Sequence, residues 1–156
     1  MDHPVIRRIQ ALWAPIARAL DVARPLVDAV VRLVLARVFF LSGLTKIQDW
    51  GTTVALFSDE YQVPFLPPEL AAFVGTAGEL ALPVLLVLGL GTRFAACGLF
   101  VLNIVAVVSY WHVLSTAESP AALHDHLHWG LLLAWVAVSA TSPWTLDRLL
   151  FLRRRG

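Results

Sequence analysis

The chain has 156 residues, of which 58% are hydrophobic and only 15% are charged, and its mean hydropathy is +0.73. A soluble domain is about half apolar and about a quarter charged, so this composition predicts an integral membrane protein. The single cysteine, Cys97, excludes an intramolecular disulfide and a Cys-x-x-Cys dithiol. Glycine-rich phosphate loops and nucleic-acid-binding motifs are also absent from the sequence, so we expect the lipid bilayer, and no nucleic acid, as a partner.

The N-terminal segment, residues 1–25, lacks the continuous apolar core of a signal peptide, because arginines and Pro15 interrupt it. Its apolar residues recur at helical spacing, whereas its arginines fall on other faces. These apolar residues are Ile6, Ile9, Trp13, Ile16 and Leu20. The pattern predicts an amphipathic helix lying on an anionic membrane interface, with a partly ordered basic tail as the alternative.

Four apolar segments follow, at about Leu26–Ile47, Leu70–Leu90, Phe94–Leu114 and Leu127–Thr141. About 20 residues cross the hydrocarbon layer, so the first three are long enough to span it. The fourth is short, and we expect it to begin a turn earlier. The predicted fold class is therefore all-α: a polytopic membrane four-helix bundle over residues 26–147, preceded by the interfacial segment and followed by a basic tail over residues 148–156.

Arginines cluster at one side of the predicted spans. They precede the first span at Arg7, Arg8, Arg18 and Arg24, and they follow the fourth at Arg148, Arg153, Arg154 and Arg155. The opposite side has one basic residue, Lys46, with several acidic ones. By the positive-inside rule, an even number of spans with both termini in the cytoplasm satisfies this distribution.

Three polar residues interrupt the predicted spans near their middle. An arginine at the centre of a span costs about 2.5–3.5 kcal/mol, so Arg37 requires a partner or a wet cavity. At about 1.5 Å per residue, Arg37, Glu79 and Asn103 all fall roughly 14–16 Å from the ends of their spans. We therefore expect an Arg37–Glu79 pair with the Asn103 amide nearby. Such a site would bind a polar head group or relay protons, or it would be a salt bridge that only fixes helix register.

A polar track is predicted from the midplane to the outer surface. Asn103 and Tyr110 are seven residues apart and share one helical face, and His128 lies at the outer end of the fourth span. The track would end at His128 and Lys46. A quinone head group suits such a place, because its carbonyls need donors and its protons need an ionisable residue; interfacial anchoring of the aromatic residues is the alternative.

The second outer loop is rich in histidine. His124 and His128 are four residues apart and would chelate a metal on one helical face, with His126 between them and His112 across the loop. Three interpretations of this loop are possible. It is a solvated loop that binds no metal, it is a site for a metal or for proton exchange, or it ligates haem. Haem would need two facing histidines, a condition that only His112 with His128 would meet.

Four motifs carry a resemblance to a known family. They are Arg37-Val-Phe-Phe-Leu-Ser-Gly-Leu-Thr-Lys46-Ile, Glu60-Tyr-Gln-Val-Pro-Phe-Leu-Pro-Pro-Glu-Leu-Ala72, Gly78-Glu-Leu-Ala-Leu-Pro83 and Gly89-Leu-Gly-Thr-Arg93. In this order they resemble the DoxX family, over about residues 30–115. The resemblance implies a four-helix protein of the bacterial inner membrane, with Arg37, Lys46 and Glu79 at the family's marked polar positions.

The resemblance also implies two functions. Some DoxX members are associated with quinone-linked oxidation or with membrane complexes that counter oxidative stress. The Tyr-x-Val-Pro-x-Leu-Pro-Pro loop resembles a subgroup found beside machinery for copper-related modified peptides. The leading hypothesis is thus a redox-associated subunit that binds a quinone or similar molecule. The alternative is a non-catalytic membrane partner or metal-handling protein that acts through its outer loops, with a protein partner or a second copy of itself.

Overall fold

The protein is all-helical throughout the residues that the computed structural model describes, which are 4–116, 120–139 and 143–153. This confirms the all-α class. The elements are α1 (Pro4–Gln48), α2 (Trp50–Asp59), α3 (Pro68–Leu88), α4 (Thr92–Ser109), α5 (Trp111–Leu114), α6 (Pro120–Ser139) and α7 (Leu146–Arg153). The predicted end of the fourth span at Thr141, and Arg154 and Arg155 of the basic tail, lie outside the described residues.

Helix α1 is longer than the span predicted within it. It continues without interruption from Pro4 to Gln48, across the boundary expected at residue 25, although Pro15 and Pro25 lie inside it. At about 1.5 Å per residue, a helix of 45 residues is about 67 Å long, roughly twice the thickness of a bilayer core. Apolar side chains of its first half, including Leu12 and Trp13, are exposed.

Four long helices pack in chain order. α1 lies against α3, α3 against α4, α4 against α6, and α6 returns to α1. Their shared core consists of Leu35, Phe39, Leu86, Ala95, Ala96, Leu99, Leu133 and Val136. Gly43 permits a close approach of α1 to α3, because a Cβ there would lie 2.9 Å from the side chain of Leu80. Burial of this core, with small residues at the contacts, holds the helices together.

Two of the described helices, α3 and α4, are long and apolar enough to cross a membrane. Charged residues reduce the apolar character of α1, which carries Arg32, Arg37 and Lys46 within four turns. The first turns of α6 contain three histidines and Asp125. Length and composition therefore identify two candidate spans in the described part of the chain.

At one end of the helices, here called the turn end, the segment that precedes α7 packs against the Gly89–Gly91 connection. Arg32 is 2% exposed; its guanidinium donates to Asp28 at 3.1 Å and to the carbonyl oxygens of Leu86 and Trp144 at 3.4 and 3.1 Å. Gly89 has φ +65°, and a Cβ there would lie 2.6 Å from Thr145. Sequence reasoning had not identified Arg32 as a structural residue.

Asp147 connects α7 to the start of α4 through hydrogen bonds. Its carboxylate accepts hydrogen bonds from the Gly91 and Thr92 amides at 2.8 and 2.9 Å and from the Thr92 hydroxyl at 3.0 Å. Burial raises the pKa of Asp147, but these three hydrogen bonds outweigh it and hold the pKa below its ordinary value of 3.8. The carboxylate thus caps α4 from a distant part of the chain.

We predict that Asp147→Asn lowers the free energy of unfolding by about 0.5–2 kcal/mol at pH 7, because the substitution weakens this cap. The measurement is thermal or denaturant unfolding in detergent. Since folding lowers the pKa of Asp147, the stabilisation is complete above pH 3.8 and is lost as the pH falls through the lower folded pKa. The difference from wild type should shrink there. Asp59→Asn, at an exposed position, is the matched control; equal effects of the two substitutions would contradict the assignment.

Candidate functional site: a polar layer across the helices

The part-buried acid of α3 pairs with a lysine of α1. Lys46 Nζ lies 2.6 Å from Glu79 Oε2 and 2.9 Å from Oε1, and the two side chains are only 19% and 16% exposed. Ser42 completes the group: its hydroxyl accepts from Lys46 Nζ at 2.9 Å and donates to Glu79 Oε1 at 3.3 Å. A charge-assisted contact of this length in a mostly desolvated setting is among the stronger polar interactions in proteins.

The predicted Arg37–Glu79 pair is wrong. Arg37 is exposed and lines a groove between α1 and α3, with a cavity volume of about 350 Å³. The other lining residues are Leu33, Ala36, Phe40, Pro83, Val84, Val87 and Leu88. Arg37 therefore lies opposite the last turns of α3, closer to the turn end than Glu79.

The register of α1 against α3 explains why the predicted Arg37–Glu79 pair does not form. Gly43 lies against Glu79 and Leu80, so the antiparallel α1 and α3 are aligned near these residues. Arg37 is six residues before Gly43, about 9 Å along the helix. Distances counted from span ends that are inferred from composition place Arg37 and Glu79 at the same depth, but α1 continues through its predicted beginning.

Asn103 and His126 form a second polar pair between α4 and α6. The Asn103 amide nitrogen donates to the His126 carbonyl oxygen at 2.9 Å, and its Oδ1 lies 2.9 Å from His126 Nδ1. Because Asn103 Oδ1 can only accept, the proton of this second bond lies on Nδ1 of His126. Nε2 of the neutral ring is then an acceptor. Gly130 allows this approach, since a Cβ there would lie 3.3 Å from the Asn103 amide nitrogen.

Thr76 lies at the same height as these two pairs. Lys46 is three residues after Gly43, and Thr76 is three residues before Glu79, so antiparallel packing makes them level. Contact between Gly78 and Leu102 likewise places Thr76 within about a turn of Asn103. Thr76 is 3% exposed, and its hydroxyl has no hydrogen-bond partner among the described residues.

These residues form what we call the polar layer, to which each of the four long helices contributes. Its members are Ser42, Lys46, Thr76, Glu79, Asn103 and His126. Lys46, Glu79 and Asn103 were predicted as site residues, whereas Ser42 and Thr76 were not, and His126 was predicted only as a metal ligand. A helical threonine carries no distinctive sequence signal, but its i,i+3 spacing from Glu79 would have placed it on the same face.

Tyrosines lie beside the polar layer on the side of the Tyr61–Pro67 loop, here called the loop end. Tyr61 packs edge-on against Phe57 and Tyr110, with ring centroids 5.0 and 5.1 Å apart. Burial raises the pKa of Tyr61, and the neighbouring Tyr110, Glu60 and Glu79 raise it further. Tyr61 therefore remains a neutral hydroxyl at physiological pH. Tyr110, predicted to lie on the polar track, instead donates to Glu60 at 3.2 Å at the surface.

Three of the four histidines predicted as metal ligands turn to different neighbours. His126 turns to Asn103, whereas the exposed His128 directs Nδ1 to the carbonyl oxygen of His124 at 2.7 Å. His112 packs against Tyr110 with ring centroids 5.4 Å apart. Within the described residues, no three His, Cys, Asp or Glu side chains are grouped closely enough to hold a metal ion. The predicted cluster of His112, His124, His126 and His128 is thus not formed, and His128 lies outside the polar layer.

The Lys46–Glu79 pair should be tested by removing one or both charges. We predict that Lys46→Met or Glu79→Leu alone lowers the free energy of unfolding by about 3 kcal/mol, because each leaves a charge largely buried without its partner. The double variant removes both charges and should lose much less than the sum, as measured by denaturant unfolding in detergent. Arg37→Gln is the control, since Arg37 makes no hydrogen bond or ion pair with a described residue. Strictly additive single effects would contradict the pairing.

Comparisons with known proteins agree with the motifs. Residues 27–112 match the sequence profile of the DoxX family. An 81-residue stretch is 38% identical to an uncharacterised protein of Haemophilus influenzae, and it covers 49% of this chain. The match spans 52%, about half, of that curated relative's length. No solved structure matches the chain. Because the profile covers more than half of the sequence, the chain belongs to the DoxX family and is a membrane protein.

Proposed function

We propose that this protein is a redox-associated membrane subunit that binds a quinone, or a small molecule with a similar carbonyl head group, at the polar layer. The observation that carries the proposal is the hydroxyl of Thr76, which is buried without a partner among the described residues and level with the Lys46–Glu79 pair. A buried polar atom of this kind costs free energy unless a bound group satisfies it. A ligand oxygen at this level would do so.

The residues present fit both forms of such a ligand. Oxidised carbonyl oxygens accept hydrogen bonds, and Lys46 and Thr76 supply donors. Reduced hydroxyl groups donate, and the Glu79 carboxylate and Nε2 of His126 supply acceptors. A bound quinone would supply the electron chemistry, whereas these side chains would orient the head group and hold protons beside it.

Electrons would come from the bound molecule or from a partner protein. The one cysteine, Cys97, is exposed on α4 and has no second cysteine with which to form a disulfide. The proposed role is therefore to bind and position the head group beside a redox partner.

The proposed membrane arrangement has four spans, α1, α3, α4 and α6, in a bacterial inner membrane. The mutual packing of these helices supports it, as does the apolar character of α3 and α4. The arginines at the turn end would then face the cytoplasm together with both termini. The first part of α1, with its exposed apolar residues and its arginines, would contact the anionic cytoplasmic leaflet.

The quinone proposal predicts a selective effect of Thr76→Val. Decylubiquinone should bind to the purified protein in lipid nanodiscs, and Thr76→Val should raise its Kd about 2- to 10-fold, the equivalent of one lost hydrogen bond. Isothermal titration calorimetry measures the Kd. Ser109→Ala is the matched control, because Ser109 carries another buried hydroxyl without a described partner. Absence of binding by the wild type, or equal Kd values for both variants, would contradict the proposal.

A second candidate function is docking of a protein partner on the loop end. Phe65 is 102% exposed and has φ +67°, a strained conformation for a bulky residue. Pro64, Pro67 and Pro68 restrict the surrounding backbone, so the loop presents Phe65 and the half-exposed Leu66 in a fixed arrangement. The partner would belong to a copper-related modified-peptide system, as the loop motif of the proposed subgroup suggests.

Photo-crosslinking distinguishes this candidate from a lipid anchor. p-Benzoylphenylalanine placed at position 65 in cells should form a protein adduct of defined mass. The same probe at Phe94, exposed on α4, should react only with lipid. Lipid adducts alone at position 65 would contradict docking.

A further inference from the structure

The groove beside Arg37 has a character different from that of the polar layer. Its walls are apolar, from Leu33 and Phe40 of α1 and Pro83 and Val87 of α3, and among the described residues Arg37 is the only charged one that lines it. Its volume of about 350 Å³ is sufficient for part of a single acyl chain. The groove therefore combines an apolar channel with one permanent cation.

Arg37 has no counter-ion within the described part of the chain. Its guanidinium forms no ion pair there, whereas the nearby Arg32 bonds to Asp28 and two carbonyl oxygens. The guanidinium of Arg37 is therefore a cation without a partner among the described residues. An anion from outside the chain would stabilise it.

The general lean of side chains on an α-helix indicates the end at which that anion would lie. Side chains of an α-helix lean toward its N-terminus, and for α1 this direction is the turn end. Arg37 is level with the residues just before the Gly89 turn, so the guanidinium can reach the height of that turn. Arg93 and Arg148 are exposed at the same end and add positive charge. This is where the head groups of one leaflet would lie if α3 crosses the bilayer.

We propose that the groove is a binding site for one anionic phospholipid, with its phosphate on Arg37 and one acyl chain between α1 and α3. Charge complementarity selects this occupant: a zwitterionic lipid brings its own cation to the site, whereas an anionic lipid leaves its charge for Arg37. Arginine also binds phosphate with two parallel hydrogen bonds. The site is independent of the proposed quinone site, because Arg37 and Lys46 are nine residues apart, about 13 Å along α1.

Native mass spectrometry with defined lipids tests the proposal. The full-length protein in mild detergent is mixed with phosphatidylglycerol or with phosphatidylcholine of the same chain length. The wild type should retain one phosphatidylglycerol with at least tenfold preference. Arg37→Gln should remove that preference, whereas Arg93→Gln, a change of the same charge at the same end, should keep it. Val87→Trp, which fills the groove without changing charge, should reduce retention of both lipids.

Three results would overturn the lipid site. These are equal retention of the two lipids by the wild type, equal effects of Arg37→Gln and Arg93→Gln, or displacement of the lipid by inorganic phosphate alone.

Decylubiquinone binding is measured on the same Arg37→Gln protein and should be unchanged. If Arg37→Gln instead abolished quinone binding without affecting lipid retention, the groove would hold the quinone and the lipid assignment would be wrong.

Discussion

The Lys46–Glu79 ion pair is the interaction on which the alignment of α1 with α3 depends. Its two charges lie between α1 and α3 and are mostly shielded from solvent. The Ser42 hydroxyl forms a further hydrogen bond with each of the two side chains. Separating the two charges would leave each of them uncompensated in an apolar setting, so the pair fixes the register of the two helices. That register places Thr76 level with Lys46 and Arg37 opposite the end of α3.

The two ends of the helices are built differently, and this difference separates the proposed roles. At the turn end, Arg32 and Asp147 bond mainly to backbone groups and close the chain on itself. At the level of the polar layer, side chains bond to each other across helices and leave the Thr76 hydroxyl unpartnered among the described residues. Satisfied backbone contacts stabilise the fold, whereas an unsatisfied buried hydroxyl is suited to binding a ligand.

Much of the fold was predictable from the sequence, because apolar runs and motif order depend on local composition. The all-helical class, the DoxX resemblance, and Lys46, Glu79 and Asn103 as polar residues of interest all came from such patterns. The partner of Glu79 did not, because a shift of about two and a half turns in the alignment of α1 with α3 replaces Arg37 by Lys46. Asp147 was missed because its contacts with Gly91 and Thr92 are 56 and 55 residues away in the chain. His126 and His128 are two residues apart, about 200° around a helix, so only one of them can face α4, and the contact with Asn103 shows that it is His126.

The most direct test of this account is a distance measurement in lipid bilayers by solid-state NMR, between the lysine side-chain nitrogen and the glutamate carboxyl carbon. Selective labelling is simple, because Lys46 is the only lysine in the sequence. A strong dipolar coupling that disappears in Glu79→Gln is expected, consistent with the 2.6 Å separation of Lys46 Nζ and Glu79 Oε2. A coupling from the Glu79 carboxyl carbon to an arginine guanidinium, with none to Lys46, would contradict the register and the polar layer that depends on it.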